Sequence, residues 1–497
     1  VKSTYAQTNF TAGELSPYLK GRWDISRYPN GAKTMENFLV HQVGGAMFRP
    51  GTKYVAEVKT SSDGKVRLYP FQFSTTQSYM LEIGDYYIRF YANKGQLVKS
   101  TADDWETATE YAVDDYVTQS ATIYQCETVH TSGVFATDLA AGKWVAQTIV
   151  EVTTPYPIAD VFELQFAQSA DVLYIVHPDY EPRKLERTSA TDFTLTEIDF
   201  TRGPFLDVNI TATTITPSAD AGDDITLTAS AATFDEDHIG SLWRVKSGVV
   251  KITAYTSGTV VTGDVQAEPD GTAGDLDTGP GATDDWAEGA WSTYRGFPSC
   301  VTFYEQRLVF ANTPHEPQKF WGSVSQEYEN FNADDGTDDD DAYTYQIATE
   351  QVNAIRWLSA GAKAMQIGTS GATFSASSGS QNEPITPTNI IVQRDTAYGS
   401  STILPRRIGN NIYYIQRNGF LLRELGYSFD IDAQQALDMT LLSDHIIRDG
   451  DGAVDMAYQQ SPHNRIWVVR DDGEMAVMTR NIEQEVTYSL DTNSRRR

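Results

Sequence analysis

Asn411-Ile-Tyr-Tyr-Ile415 and Arg465-Ile-Trp-Val-Val469 decide how the rest of the chain is read. Each is a short β-branched and aromatic run closed on both sides by Gly, Asn, Asp or Pro, the pattern of a buried strand. The same pattern recurs at Tyr79-Met-Leu-Glu-Ile83, Val172-Leu-Tyr-Ile-Val176 and Arg307-Leu-Val-Phe310. The 27 Tyr, with many Val and Thr, suit strands better than helices. Long helical periodicity is scarce. One short helix is expected near Asp432–Leu441, where apolar residues recur at helical spacing.

Working outward, the runs that begin at Arg307, Gln366, Ile412 and Ile466 are spaced by 59, 46 and 54 residues. A four-stranded propeller blade needs about 40–50 residues, so the spacing fits blades that carry loop insertions. The expected fold is therefore mainly β, a β-propeller platform with two small inserted β modules. The competing architecture is a pair of unrelated β-sandwiches, which solves the edge-strand problem differently. Residues 1–100 read as an N-terminal β segment containing a docking region and the start of the propeller. Residues 101–147, with aromatics at Trp105, Tyr111, Tyr124 and Trp144, read as a small aromatic-packed module. Residues 148–207 return to propeller strands, 208–292 form the second insert, and 293–497 supply the remaining blades. Within the second insert, Glu268–Glu288 holds seven acidic residues and no basic one, and reads as a mobile loop.

Composition bounds the function. At 497 residues the chain should divide into two to four domains, and 40% hydrophobic content is enough to build cores. No apolar run approaches the roughly 18 residues that span a membrane, and no signal pattern opens the sequence, so neither stable membrane insertion nor secretion is expected. Cys126 and Cys300 lie far apart without metal-type spacing and read as two buried thiols. The net charge of -29 argues against a protein that grips nucleic acid. It is compatible with a conduit, because an acidic lumen repels phosphates, and equally with plain solubility. The charge is uneven: residues 1–100 balance at +6 and the remainder at -35. A basic first segment on an acidic body reads as an assembly surface, with Arg22 and Arg49 as candidate contacts.

Motifs for catalysis are missing. The seven His are scattered without metal-ligand spacing, and there is neither a nucleophile elbow nor a phosphate-cradling glycine loop followed by Lys. The run Asp334-Asp-Gly-Thr-Asp-Asp-Asp-Asp341 offers Asp334, Asp335, Asp338, Asp339, Asp340 and Asp341, but not the spacing of an EF-hand loop. It reads as a solvated loop or a channel-facing acidic patch. No enzyme activity, cofactor or metal is expected.

A resemblance then enters on an ordered set of segments. These are Phe10-Thr-Ala-Gly-Glu-Leu-Ser-Pro17, Gly21-Arg-Trp-Asp24, Asn37-Phe38, Gly44-Gly-Ala-Met-Phe-Arg-Pro-Gly-Thr52, Leu164-Gln-Phe-Ala-Gln-Ser-Ala-Asp-Val-Leu-Tyr174, Gly289-Ala-Trp-Ser292, Gly296-Phe-Pro298, Phe303-Tyr-Glu-Gln-Arg-Leu308, Trp321-Gly-Ser323, Pro384-Ile-Thr-Pro387, Gln416-Arg-Asn-Gly419 and Met456-Ala-Tyr-Gln-Gln460. Taken in order, they resemble the tail nozzle proteins of short-tailed bacteriophages. After Met478-Thr479 the chain departs from that pattern, with Thr487-Tyr-Ser-Leu490 where a Trp- and His-containing strand is expected. The first insert, with Tyr111, Val113, Asp115 and Val117 in frame, resembles the small carbohydrate-binding modules of chitinases. The second resembles the small β-domain likened to the FCCH domain of ubiquitin-activating enzymes, a likeness of barrel shape alone.

The resemblance implies a virion protein of the tail, assembled in the host bacterial cytoplasm. It implies a homohexameric ring that extends the DNA ejection channel below the portal and adaptor. Its partners would be its own copies, the adaptor and the tail fibre or spike proteins, and viral DNA would pass through without sequence-specific binding. The alternative is a receptor-binding or fibre-anchoring tail protein that contacts host glycans through Trp105, Tyr124 and Trp144. Against it stands the plainer reading that these aromatics are the core of a very small domain.

Overall fold

The structure, a computed structural model, describes residues 7–41, 43–59, 64–74, 76–267, 272–277, 281–333, 338–349, 352–380, 383–481 and 486–493. It is mainly β and β-propeller-like. Among the described residues, six sheets have the blade pattern of four sequential antiparallel strands. The chain divides into two compact units, Lys53–Phe200 and Val1–Thr52 with Thr201–Arg497.

In the first unit, blade A comprises Arg67–Gln72, Ser78–Gly84 and Tyr87–Ala92, with Glu151–Thr153 as its fourth strand. Blade B is Gln165–Ser169, Val172–His177, Tyr180–Arg187 and Phe193–Glu197. The two pack through aromatics: Phe90 stacks on Phe193 at 3.9 Å between ring centroids, and Tyr79 meets Phe193 edge-on at 5.3 Å. The small module, Asp103–Asp104 through Trp144–Ala146, interrupts blade A between its third and fourth strands. It is tied to that blade by polar contacts. The Tyr116 hydroxyl donates to the Ile149 carbonyl at 2.9 Å, and Asp114 accepts from the Thr153 backbone amide at 2.7 Å.

In the second unit, four blades follow one another. Blade C is Cys300–Tyr304, Arg307–Ala311, Lys319–Gly322 and Tyr343–Gln346; blade D is Ile355–Ser359, Met365–Thr369, Thr373–Ser378 and Ile390–Thr396. Blade E is Arg406–Ile408, Asn411–Ile415, Leu422–Ser428 and Ala433–Asp438; blade F is Ala453–Gln459, Arg465–Arg470, Met475–Asn481 and Val486–Asn493. One apolar core spans C and D, from Cys300 to Ile385, and another spans E and F, from Tyr413 to Met478. Trp357 of blade D joins Ile412, Tyr414 and Leu425 of blade E. Its indole lies on Gly368, where an added Cβ would sit 2.1 Å from the ring, so this strand pair depends on the glycine.

The sequence period has a structural cause. Arg307, Gln366, Ile412 and Ile466 all open or begin the second strand of a blade. That strand is paired on both edges and covered on both faces; Arg307–Ala311 and Met365–Thr369 are buried throughout. Continuous burial removes the polar alternation, leaving the apolar runs that stand out in the sequence. The helix expected at Asp432–Leu441 is corrected: Ala433–Asp438 is the edge strand of blade E, paired in register with Leu422–Ser428. Strand pairing overrides the helical spacing there, and a short helix forms afterwards, at His445–Arg448. Where the sequence departs from the nozzle pattern, Val486–Asn493 still supplies the fourth strand of blade F.

The second insert is a six-stranded antiparallel sheet curled around its own core. Its strands run in the order Ile215–Pro217, Ile225–Ala229, Val260–Val265, Gly248–Ser257, Leu242–Val245 and Trp286–Glu288. Reciprocal bonds between Ile215 and Thr283, 2.8 and 2.9 Å, tie the first strand to the segment that leads into the last. Leu227, Trp243, Val250, Val261 and Leu276 fill the interior. The Glu268–Glu288 stretch is thus not a loop from end to end, because Leu276 enters the core and Trp286–Glu288 is a strand.

The N-terminal stretch, read as one segment to residue 100, is split at Thr52. Its first part is clamped to blade F and the turn before it. Ser16 N–H donates to the Leu442 carbonyl at 2.8 Å, Ser443 Oγ donates to the Glu14 carbonyl at 2.5 Å, and Thr479 Oγ1 donates to the Val40 carbonyl at 3.0 Å. The Glu14 carboxylate is buried, accepts from Met35 N–H at 2.6 Å and faces His445 Nε2 at 3.1 Å. The Gly-Glu-Leu-Ser motif is therefore a clasp onto the turn before blade F.

Candidate functional site

The aromatic module is the first candidate. Tyr111, Val117, Cys126 and Trp144 form its core, with Trp105, Tyr124 and Phe135 packed around it and half-buried. Trp144 is only 3% exposed, so it cannot stack on a sugar, and its place among the glycan contacts is corrected. The reason is size: a module this small needs its largest side chain inside. Trp105 and Tyr124 keep part of their surface in water. Both meet Phe135 edge-on, at 5.6 and 4.9 Å between centroids. Phe135, on the short helix Phe135–Ala140, completes a three-ring strip that was not singled out in the sequence.

The same module holds a Cys-His-Asp arrangement that spacing alone did not reveal. Cys126 Sγ lies 3.7 Å from His130 Nδ1, and His130 Nε2 lies 3.9 Å from Asp138. It is not a catalytic set. His130 Nδ1 is 2.7 Å from the Thr128 carbonyl, to which it must donate, so it cannot take a proton from the thiol. Cys126 is buried, and burial raises its pKa, the opposite of an activated nucleophile. Asp138 is held below the usual carboxylate range by the Gly133 amide and Lys143. Both cysteines are buried, and neither is in a disulfide.

The acidic run is the second candidate. Asp334 and Asp335 lie outside the described residues. Asp338, Asp339 and Asp340 are exposed and Asp341 is half-buried. Its backbone is held from below by Arg307, whose guanidinium is buried and donates to the carbonyls of Asp341 at 2.6 Å, Asp339 at 2.7 Å and Ser323 at 2.6 Å. The loop thus turns its carbonyls to a buried cation and its carboxylates outward. Among the described residues no group of three or more His, Cys, Asp or Glu is placed to hold a metal ion. Glu288, the last acidic residue of the other run, is drawn inward. It pairs with Arg295 at 2.6 and 2.7 Å and with His238 at 3.0 Å. Burial opposes its ionisation, but these bonds outweigh burial and keep its pKa below normal.

The assembly candidates lie in the N-terminal lobe. Arg22 is exposed and forms a two-pronged pair with Asp24 at 2.6 and 2.7 Å. Arg49 is half-buried and reaches the Asn37 side-chain oxygen at 3.4 Å and the Pro50 carbonyl at 3.3 Å. Both charges are engaged locally, yet Arg22 remains at the surface beside Trp23, which is 64% exposed.

One carboxylate is strongly perturbed. Asp395, on the fourth strand of blade D, accepts from Ser375 Oγ at 3.0 Å, and burial pushes its pKa up to about 6. Among the described residues its side-chain partner is Ser375, a hydroxyl rather than a charge, so the perturbation is a cost to folding. A folded pKa raised above 3.8 means the folded state gains from the bound proton at low pH. That gain is lost as pH rises through about 6. Asp395→Asn is expected to stabilise the protein by about 1–2 kcal/mol at pH 8 and to have little effect near pH 4. Denaturant titrations of both proteins at the two pH values check this, and equal gains at both would refute it.

Among the described residues no helix is long and apolar enough to cross a membrane. No protein-family model matches the sequence, and no curated protein matches it. Solved structures similar in fold include the WD40 domain of Neurospora crassa Pan2, at 9% identity and a TM-score of 0.27, over 67% of this chain and 78% of that one. An auxiliary nutrient binding protein from Bacteroides thetaiotaomicron is similar at 9% identity and a TM-score of 0.25, over 56% of this chain and 70% of that one.

Proposed function

We propose that this chain is a structural subunit of a short-tailed phage tail, the nozzle that closes as a ring and extends the DNA ejection channel. The observation that carries the reading is the ordered set of nozzle-like segments, which opens with Phe10–Pro17. Within that first segment, Glu14 and Ser16 bond to Leu442, Ser443 and His445. A clasp between this segment and the turn before blade F suits a structural part. The acidic balance of the body supports a conduit, since phosphates passing an acidic wall do not stick. Ring formation would use heterologous contacts between different faces of neighbouring copies. A second reading, contact with host glycans, is favoured by the half-exposed Trp105, Tyr124 and Phe135 strip.

Native mass spectrometry and negative-stain imaging of the isolated protein, with and without the adaptor, test the proposal. A ring, alone or on the adaptor, is expected. A stable monomer or trimer that never joins a tail ring, yet binds cells, would overturn it.

A further inference from the structure

Two histidines far apart in sequence meet where the N-terminal lobe touches blade F. His41 follows the strand Phe38–Val40, in the turn before its antiparallel partner Ala46–Phe48. His463 sits in the turn between the first two strands of blade F. Their rings pack edge to face with centroids 4.5 Å apart, and both residues are half-buried. His41 makes a further contact as a neutral ring: its Nδ1 accepts from the Val43 N–H at 3.4 Å. A protonated imidazole has no acceptor, so one proton removes that bond. Beside the turn, Leu39 is 1% exposed and Val40 0%, and the Val40 carbonyl accepts from Thr479 Oγ1 on the third strand of blade F.

The surroundings add positive charge to this contact. Residues 38–48 hold no ionisable group besides His41, and residues 459–464 none besides His463. Arg465 follows on the second strand of blade F and, with His41, acts on His463. Arg480, on the third strand, is already paired with Glu424. Asp491, on the fourth, stands in register with Val477 rather than with Thr479. Burial, then Arg465 and His41, push the His463 pKa below 6.5.

We propose that His41 and His463 form an acid-released latch, which holds the Phe38–Phe48 hairpin on blade F while the rings are neutral and lets its tip lift when both are protonated. One charged ring set against a neutral ring is tolerated, but two charged rings at this spacing repel. The closed contact keeps His463 neutral, so it is stable above about pH 6.5 and is lost as pH falls below that value. Like charges this close, facing water, shift such an equilibrium about fivefold. The clasp is not released with the latch. Its titrating contact joins Glu14 to His445 at 3.1 Å, groups of opposite sign that a proton on His445 draws together, while Arg448 is engaged by Asp444 and Asp449. The clasp bonds from Ser16 to Leu442 and from Ser443 to Glu14 involve no charged atom. Acid therefore frees the hairpin tip and leaves the lobe hinged at the clasp. The latch stands independently of the ring reading.

Hydroxyl-radical footprinting of the full-length protein at pH 8 and pH 5 tests this. Labelling of the Leu39 and Val40 side chains is expected to rise about fivefold at the lower pH in the wild type. In His463→Gln, which cannot carry the second charge, the rise is expected to stay under about twofold. Circular dichroism at both pH values verifies that the variants are folded. Histidine-selective NMR titration is expected to show His463 binding its proton up to about fivefold more weakly in the wild type than in His41→Gln. Level labelling of the wild type would overturn the latch. So would an equal rise in His463→Gln, or a His463 titration that is the same in His41→Gln as in the wild type.

Discussion

Arg307→Ala should cost about 3–5 kcal/mol of stability and free the acidic loop at Asp338–Asp341. The guanidinium is 3% exposed and donates to the carbonyls of Ser323, Asp339 and Asp341. Its charge is balanced by carbonyl dipoles and the face of Tyr343, 5.4 Å away, rather than by a buried carboxylate. Burial lowers its pKa, although nearby Tyr and Asp groups oppose the shift. Removing it leaves buried acceptors without donors and opens space beside Tyr343. Arg307→Lys should recover only part of the loss, because a single ammonium cannot span the separate carbonyls that the planar fork reaches. Urea titration gives the energy, and hydrogen exchange of the 338–342 amides reports the loop. The carboxylates behave differently: Asp339→Asn and Asp340→Asn should each change stability by less than about 0.5 kcal/mol. If Arg307→Ala leaves the urea midpoint and loop protection unchanged, the loop is not held from below.

The residues that made the fold legible differ in kind from those that make the candidate surfaces. Second blade strands such as Asn411–Ile415 are buried on both faces, and burial writes an unbroken apolar run that sequence reading detects directly. Edge strands are half-exposed and carry mixed residues. Ala433–Asp438 was therefore open to a helical reading, and only its partner Leu422–Ser428 decides the matter. The acidic runs were visible as composition, but composition does not say which carboxylate turns inward. Glu288 does so because Arg295 and His238 bond to it, and the His238 contact joins positions 50 residues apart. Arg307 looked like one more residue of a strand; its part in holding the loop depends on carbonyls over 30 residues away. The nozzle-like opening motif was legible as a string, and the structure gives its residues a physical task in the clasp with Ser443 and His445.

The aromatic module separates two substitutions that look alike in sequence. Trp144→Ala should cost about 3–5 kcal/mol, comparable to the whole stability of a module this small. Trp144 is buried against Tyr111 at 5.1 Å and His130 at 5.3 Å, and its strand pairs Cys126. The module should unfold locally and become cleavable within residues 101–147, while the blades around it stay folded. Such a protein would lose glycan binding for a trivial reason. Trp105→Ala with Tyr124→Ala is the informative pair. Both rings are half-exposed, so the double substitution should cost only about 1–3 kcal/mol and leave the module resistant to protease. Retention of the wild-type protein on chitin or on cell-wall polysaccharide, lost in this double variant alone with its fold intact, would make the strip a glycan contact. Equal retention of the two proteins would assign Trp105, Tyr124 and Phe135 to packing alone. A folded, protease-resistant Trp144→Ala protein would contradict the placement of Trp144 at the centre of the core, and with it the division between the ring that holds the module together and the rings that face outward.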